Sequence, residues 1–169
     1  MHTSLSRRKA LGGLAALLVV GSPILLSSTR PASAHVAPCP YCGMTITQDT
    51  ATQDNETVLK IGRKRIEYKC VFCAMADAQS EYKGDLTIAA PSETKDSPVV
   101  IKRVADKWSA PATAVFAAQK GSHKVCQALY RAFTSQAAFD AYVKANPNAF
   151  GKDAKSLSLD QMLKLAAAT

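Results

Sequence analysis

The chain is poor in aromatics, with one Trp among 169 residues and rings at 7% of the whole, and it carries only three His. Rings this sparse, none interleaved with Lys or Arg in a stripe, give no case for a nucleic-acid surface. A run long enough to span a bilayer is also lacking. The longest apolar stretch, Leu11 to Leu26, covers 16 residues and contains Pro23, short of the roughly 20 that a membrane helix needs. Tandem repeats and low-complexity runs are missing as well. Near Ala32-Ser33-Ala34 there is no Cys, so a lipid-bearing cysteine is not expected there.

What is present begins with an export pattern. Ser6-Arg7-Arg8-Lys9-Ala10-Leu11 is a basic opening to the apolar run, and Pro31-Ala32-Ser33-Ala34 ends in the Ala-x-Ala form that signal peptidase cuts. These features predict a cleaved, twin-arginine-like signal over residues 1–34 and a domain over 35–169; the alternative is an uncleaved anchor. The expected location is periplasmic or otherwise exported, with no membrane span after cleavage. Losing Arg7, Arg8, Lys9 and Arg30 leaves 17 basic against 13 acidic residues, so the headline +8 falls to +4. The densest basic run, Ile61-Gly62-Arg63-Lys64-Arg65, reads as a solvated hairpin turn.

About 135 residues suffice for one modest core. Val58–Ile61 and Ile66–Tyr68 flank that turn as strands. Val71, Ala74, Ala78 and Tyr82 recur at helical spacing, predicting a helix over 70–82 stopped by Lys83-Gly84. Leu86–Ala89 and Val99–Ile101 are short and β-branched, hence strands. Trp108–Ala118 and Val125–Phe133 are further strand candidates. Thr134 or Ser135 can cap a helix over 136–145, and a last helix is expected over 159–167. The pattern predicts a single small α+β domain with a largely antiparallel sheet and hairpin-helix units, one at 58–82 and a weaker echo at 112–145.

All five cysteines, Cys39, Cys42, Cys70, Cys73 and Cys126, lie in the domain region, an odd number that leaves at least one thiol unpaired within a monomer. Four of them stand in two copies of Cys-x-x-Cys-x-Met, Cys39-Pro40-Tyr41-Cys42-Gly43-Met44 and Cys70-Val71-Phe72-Cys73-Ala74-Met75. Zinc takes four thiolates from two such pairs, although the 27 residues between Cys42 and Cys70 exceed a compact zinc ribbon's spacing. Zinc has little use for a thioether, whereas Cu(I) accepts thiolate and thioether together at low coordination number. Met44, in a Gly-containing loop, is therefore a candidate ligand; Met75, inside the expected helix, serves equally well as core filling. A Cys-x-x-Cys where a helix begins also fits a thiol-disulfide oxidoreductase. His35, at the new N-terminus, and His123, three residues before Cys126, are possible additional donors with no assigned role.

With these residues in view, the chain resembles the nitrous oxide reductase accessory proteins of the NosL type. The resemblance rests on the Cys-Pro-Tyr-Cys-Gly-Met motif, on the hairpin leading into Tyr68-Lys69-Cys70-Val71-Phe72-Cys73, and on Leu129–Phe139 and Ser156–Met162. It covers most of residues 38–165, and Cys42-Gly43-Met44 is its most specific part. It implies binding of Cu(I) outside the cytoplasm and delivery to copper enzymes, with Cys42 and Met44 as ligands and Cys73 and Cys126 as further soft donors. The chain departs from the family in lacking a lipoprotein cysteine, in its extra thiols, and in lacking a Met-Gly turn before the last strand.

The combined expectation is an exported metallochaperone that holds Cu(I) through Cys39, Cys42, Met44, Cys70, Cys73, Met75 and Cys126. It would pass the ion to a copper-receiving protein or enzyme by ligand exchange, and would itself not be an enzyme. Two alternatives stand beside it: a structural zinc module with a four-Cys site, and a thiol-disulfide oxidoreductase.

Overall fold

The computed structural model describes residues 36–47, 56–120, 128–151 and 153–168. The chain divides into Met1–Ala32 and Ser33–Thr169, and everything described belongs to the second unit. The expected signal segment, His35, His123 and Cys126 lie outside the described residues. No helix among the described residues is long and apolar enough to cross a membrane.

The fold is α+β, and every strand pairing among the described residues is antiparallel. A small hairpin joins β1 (Val36–Pro38) to β2 (Thr45–Thr47). The main sheet takes β3 (Thr57–Ile61), β4 (Lys64–Tyr68), β5 (Leu86–Ala90), β6 (Val99–Val104) and β7 (Lys107–Ser109) in the order β4-β3-β5-β6-β7. A second sheet takes β8 (Val115–Gln119), β9 (Leu129–Phe133) and β10 (Ser156–Leu157) in the order β10-β8-β9. The helices are α1 (Val71–Ser80), α2 (Gln136–Ala145) and α3 (Leu159–Ala167). The hairpin-helix unit occurs twice, as β3-β4-α1 and β8-β9-α2.

Two strand expectations need correction. Residues 108–118 are not one strand: β7 closes the edge of the main sheet, whereas β8 pairs with β9 in the second. Between them Pro111, which has no N–H to give a ladder, opens a turn closed by the Ala114 N–H on the Pro111 carbonyl at 2.9 Å. β1 and β2 were hidden because three residues carry too little alternation to register as strands. The turn between β3 and β4 is tighter than expected, pairing Ile61 with Lys64 across Gly62 and Arg63. Gly62, at φ +54, takes the left-handed backbone it requires.

Helix α1 is the centre of the molecule. Its eight residues from Val71 to Ala78 are all buried, as expected for a stretch apolar but for Asp77. It touches β3, β4 and β5 of the main sheet, β9 of the second, and α3. Its C-terminal end is held by a charge from another element. Arg103 on β6, 5% exposed, donates to the carbonyls of Ala78 at 2.7 Å, Tyr82 at 2.8 Å and Gly84 at 2.9 Å. A buried cation there satisfies carbonyls that a helix end leaves open and matches the dipole's negative end.

Both other helices are capped by a serine, of which only Ser135 is expected from the sequence. Ser135 accepts from the Ala138 N–H at 3.1 Å, and Ser158 forms a reciprocal capping box with Gln161. Behind the second sheet lies a smaller aromatic core, in which Phe133 meets Phe139 at 5.3 Å and Tyr142 at 5.4 Å between ring centroids.

Candidate metal centre

The first Cys-x-x-Cys is the turn of the β1–β2 hairpin. The ladder runs to the Pro38–Thr45 pair, and two further bonds close the loop. The Cys39 N–H donates to the Met44 carbonyl at 2.8 Å, and the Gly43 N–H donates to the Cys39 carbonyl at 2.8 Å. Gly43 sits at φ +73, and a Cβ there would meet nothing within 4 Å. The position therefore demands glycine for its backbone angle and not for want of space.

The second Cys-x-x-Cys opens α1. Cys70 is the N-cap residue, with extended backbone and no side-chain capping bond, and the Ala74 N–H donates to its carbonyl at 3.2 Å. Cys73 follows in the first turn, on the same side as its cap.

Three contacts press the turn onto the helix start. Tyr41 and Phe72 hold the same place within their motifs, and their rings meet edge to face at 6.2 Å. Phe72 in turn stacks on Tyr130 of β9 at 5.1 Å. Each such pair contributes about 0.5–1.5 kcal/mol beyond its buried area. Lys69 Nζ donates to the Thr45 carbonyl at 2.8 Å, and Ile46 of β2 is fully buried in the main core. Sequence reasoning passed over Tyr41, Phe72 and Tyr130; the signal was an aromatic ahead of the second cysteine in both motifs.

The result is a sulfur cluster assembled from both motifs. The Sγ atoms of Cys39, Cys42 and Cys73 all lie within 4.8 Å of one another and form a group that could hold a metal ion. Cys70 Sγ lies 3.6 Å from Cys73 Sγ. No disulfide joins these four described cysteines. Cys39, Cys70 and Cys73 are buried, and Cys42 is half-buried, so the cluster has one approachable thiol and three interior ones.

The charge falls on Cys39. The Cys73 thiol donating to it is the largest influence; burial opposes ionisation, and backbone hydrogen bonds at Lys69, Cys42 and Tyr41 help, holding the Cys39 thiol down at about 5. Burial is the first cause that pushes the Cys42 thiol up. Cys73 is also pushed up, first by giving its proton toward Cys39, then by its contact with Cys70 and by burial. A helix start favours a thiolate, but at Cys73 the neighbouring sulfurs outweigh it. At neutral pH the cluster thus presents one thiolate and at least two protonated thiols.

The methionines part company. Met44 is half-buried at the end of the turn, with its carbonyl tied to Cys39. Met75 is fully buried in the main core, and two residues along a helix do not share a face, so it is carried around the axis from Cys73. One turn beyond Cys73, the buried Asp77 accepts a hydrogen bond from Tyr68 OH. Burial first, and Asp77 second, hold the Tyr68 phenol above its ordinary value, which keeps it a donor.

No protein-family model and no curated protein matches the chain. Among solved structures, the mercury-bound form of MerB2 is similar in fold, with a TM-score of 0.52 at 12% identity. The likeness covers 78% of this chain and 65% of that one, so the chain spans about two thirds of that protein's length. At this identity the likeness concerns the fold. It nevertheless overturns the expectation that the protein is not an enzyme: MerB is an organomercurial lyase, and a fold that serves an enzyme gives no ground for setting catalysis aside.

Proposed function

We propose that the protein binds a soft, thiophilic metal ion, Cu(I) first, through Cys39, Cys42 and Cys73, with Met44 as a fourth donor at the mouth. The observation that carries this reading is the convergence of three sulfurs from two distant motifs within 4.8 Å. Thiolates arranged closely in a dry setting suit soft ions of low coordination number, and that the similar MerB2 structure was solved with mercury bound accords with it. On this reading the chain is an exported, NosL-like carrier whose residues 1–34 direct export. Its partner is a copper-receiving protein whose thiolate or thioether displaces one ligand at a time, entering at half-buried Cys42.

A second reading has its own observation. The 3.6 Å between Cys70 and Cys73 is close to the roughly 3.8 Å between sulfurs of a tetrahedral zinc site with bonds of about 2.3 Å. Four thiolates around zinc would make the hairpin and helix a structural clasp. Anaerobic Cu(I) titration against a competing chelator tests the first reading. Tight binding that weakens in Cys42→Ala and in Met44→Ala is expected, and unchanged affinity in both variants would sink it. Stoichiometric zinc in the native protein, indifferent to Met44→Leu, would favour the second.

A further inference from the structure

The four sulfurs form a path as well as a cluster. It starts at half-buried Cys42, steps to Cys39 and Cys73 within 4.8 Å, and ends at buried Cys70, 3.6 Å from Cys73. Cys70 stands at the far end, at the N-cap of α1, where its backbone is extended. Two sulfurs at that separation across the first turn of a helix reach bonding distance, about 2 Å, by small rotations of their side chains.

We propose that Cys70 and Cys73 are the resting place of a disulfide that enters at Cys42 and travels inward along the sulfurs. The overall reaction consumes an external small-molecule disulfide as oxidant: the two thiols of Cys70 and Cys73 lose two electrons and two protons, and two molecules of the small thiol leave. In the first step the approachable Cys42 gives up its proton to the Cys39 thiolate, attacks the external disulfide and expels one small thiolate, which takes up a proton as Cys39 acts in turn. Cys39 then attacks the sulfur of Cys42 and expels the second, giving a Cys39–Cys42 bond. Attack by Cys73 on Cys39 and by Cys70 on Cys73 moves that bond to Cys70–Cys73. Each later step exchanges one thiolate for another with no net change in electrons. The product removes Cys73 from the three-thiol group, so oxidation would empty the metal site; that consequence rests on the binding reading above.

The test uses the full chain carrying Cys126→Ser, so that only the four clustered thiols report. The metal-free, reduced protein is mixed with oxidised glutathione under anaerobic conditions, quenched in acid over time and digested for disulfide mapping by mass spectrometry. Cys70–Cys73 is expected as the persistent product, forming about tenfold or more slowly in Cys42→Ser. A persistent Cys39–Cys42 bond, or an unchanged rate in Cys42→Ser, overturns the proposal. A parallel sample loaded with Cd2+ should release its ion to a chelator on oxidation in step with the Cys70–Cys73 bond, and an ion retained after that bond has formed overturns the emptying of the site. If Cd2+ never binds, the binding reading fails while the disulfide map still decides the relay.

Discussion

The two Cys-x-x-Cys-x-Met segments share a pattern and almost nothing else. The first is a hairpin turn that needs Gly43 in the left-handed region and leaves Cys42 and Met44 half-buried. The second is a helix start sealed in the centre of the molecule, with Cys70, Cys73 and Met75 all buried. The first segment offers the approachable thiol and holds the thiolate; the second offers interior sulfur and a rigid platform. A repeated motif here means complementary halves of one site rather than two copies of it.

The protonation states sharpen that comparison most. Cys39 is ionised above about 5, while Cys42 and Cys73 keep their protons to higher pH than a free thiol. Binding an ion through all three must therefore expel two protons near neutrality. The apparent Cu(I) affinity should rise about 100-fold for each pH unit between 6 and 8, and chelator competition across that range measures it. A rise of about tenfold per pH unit would mean that only one of the two protonated thiols ligates, and a flat profile that neither does. The same shifts act on folding without metal. The Cys39 thiol is depressed on folding, so stability rises with pH from about 5 toward the unfolded thiol's ordinary value. Above that value the raised Cys42 and Cys73 thiols reverse the trend. Urea denaturation of the reduced, metal-free protein should accordingly peak in stability at mildly alkaline pH.

Next in size is the loss of single thiols. Cys73→Ala should weaken Cu(I) binding by more than the ~10–100-fold typical of losing an outer-shell partner. Cys70→Ala should cost less, since Cys70 stands outside the three-sulfur group. Equal losses would favour a four-thiol site.

The methionines divide in the opposite sense. Met75→Ala should destabilise the protein by about 2–5 kcal/mol, the usual cost of emptying a core position, as read from the urea midpoint. Met44→Ala should leave that midpoint nearly unchanged and lower Cu(I) affinity. Smaller than the loss at Met75 is that at Gly43→Ala, about 1–2 kcal/mol in the same urea midpoint from forcing a side chain into the left-handed region, with no clash to add to it.

Much of the architecture could be read from residue patterns. The β3–β4 hairpin, α1, β5, β6, α2 and α3 all have the alternation or helical spacing that marks them, and Ser135 marks the start of α2. What escaped was decided by tertiary pairing. Nothing local in residues 108–118 says that Trp108 joins one sheet and Phe116 another; only their partners, Arg103 and Ala132, do so. The site was legible in its sulfurs but not in their depths. Met44 and Met75 sit at the same offset from their cysteines, and only what packs over α1 buries one and not the other.

The central claim is that one ion is held jointly by the hairpin turn and the helix start. X-ray absorption at the copper edge of the Cu(I)-loaded protein, beside Cys73→Ser, tests it most directly. The prediction is an all-sulfur shell with at least three sulfur neighbours in the parent and one fewer in the variant. A shell of nitrogen or oxygen, or an unchanged sulfur count in Cys73→Ser, would contradict it.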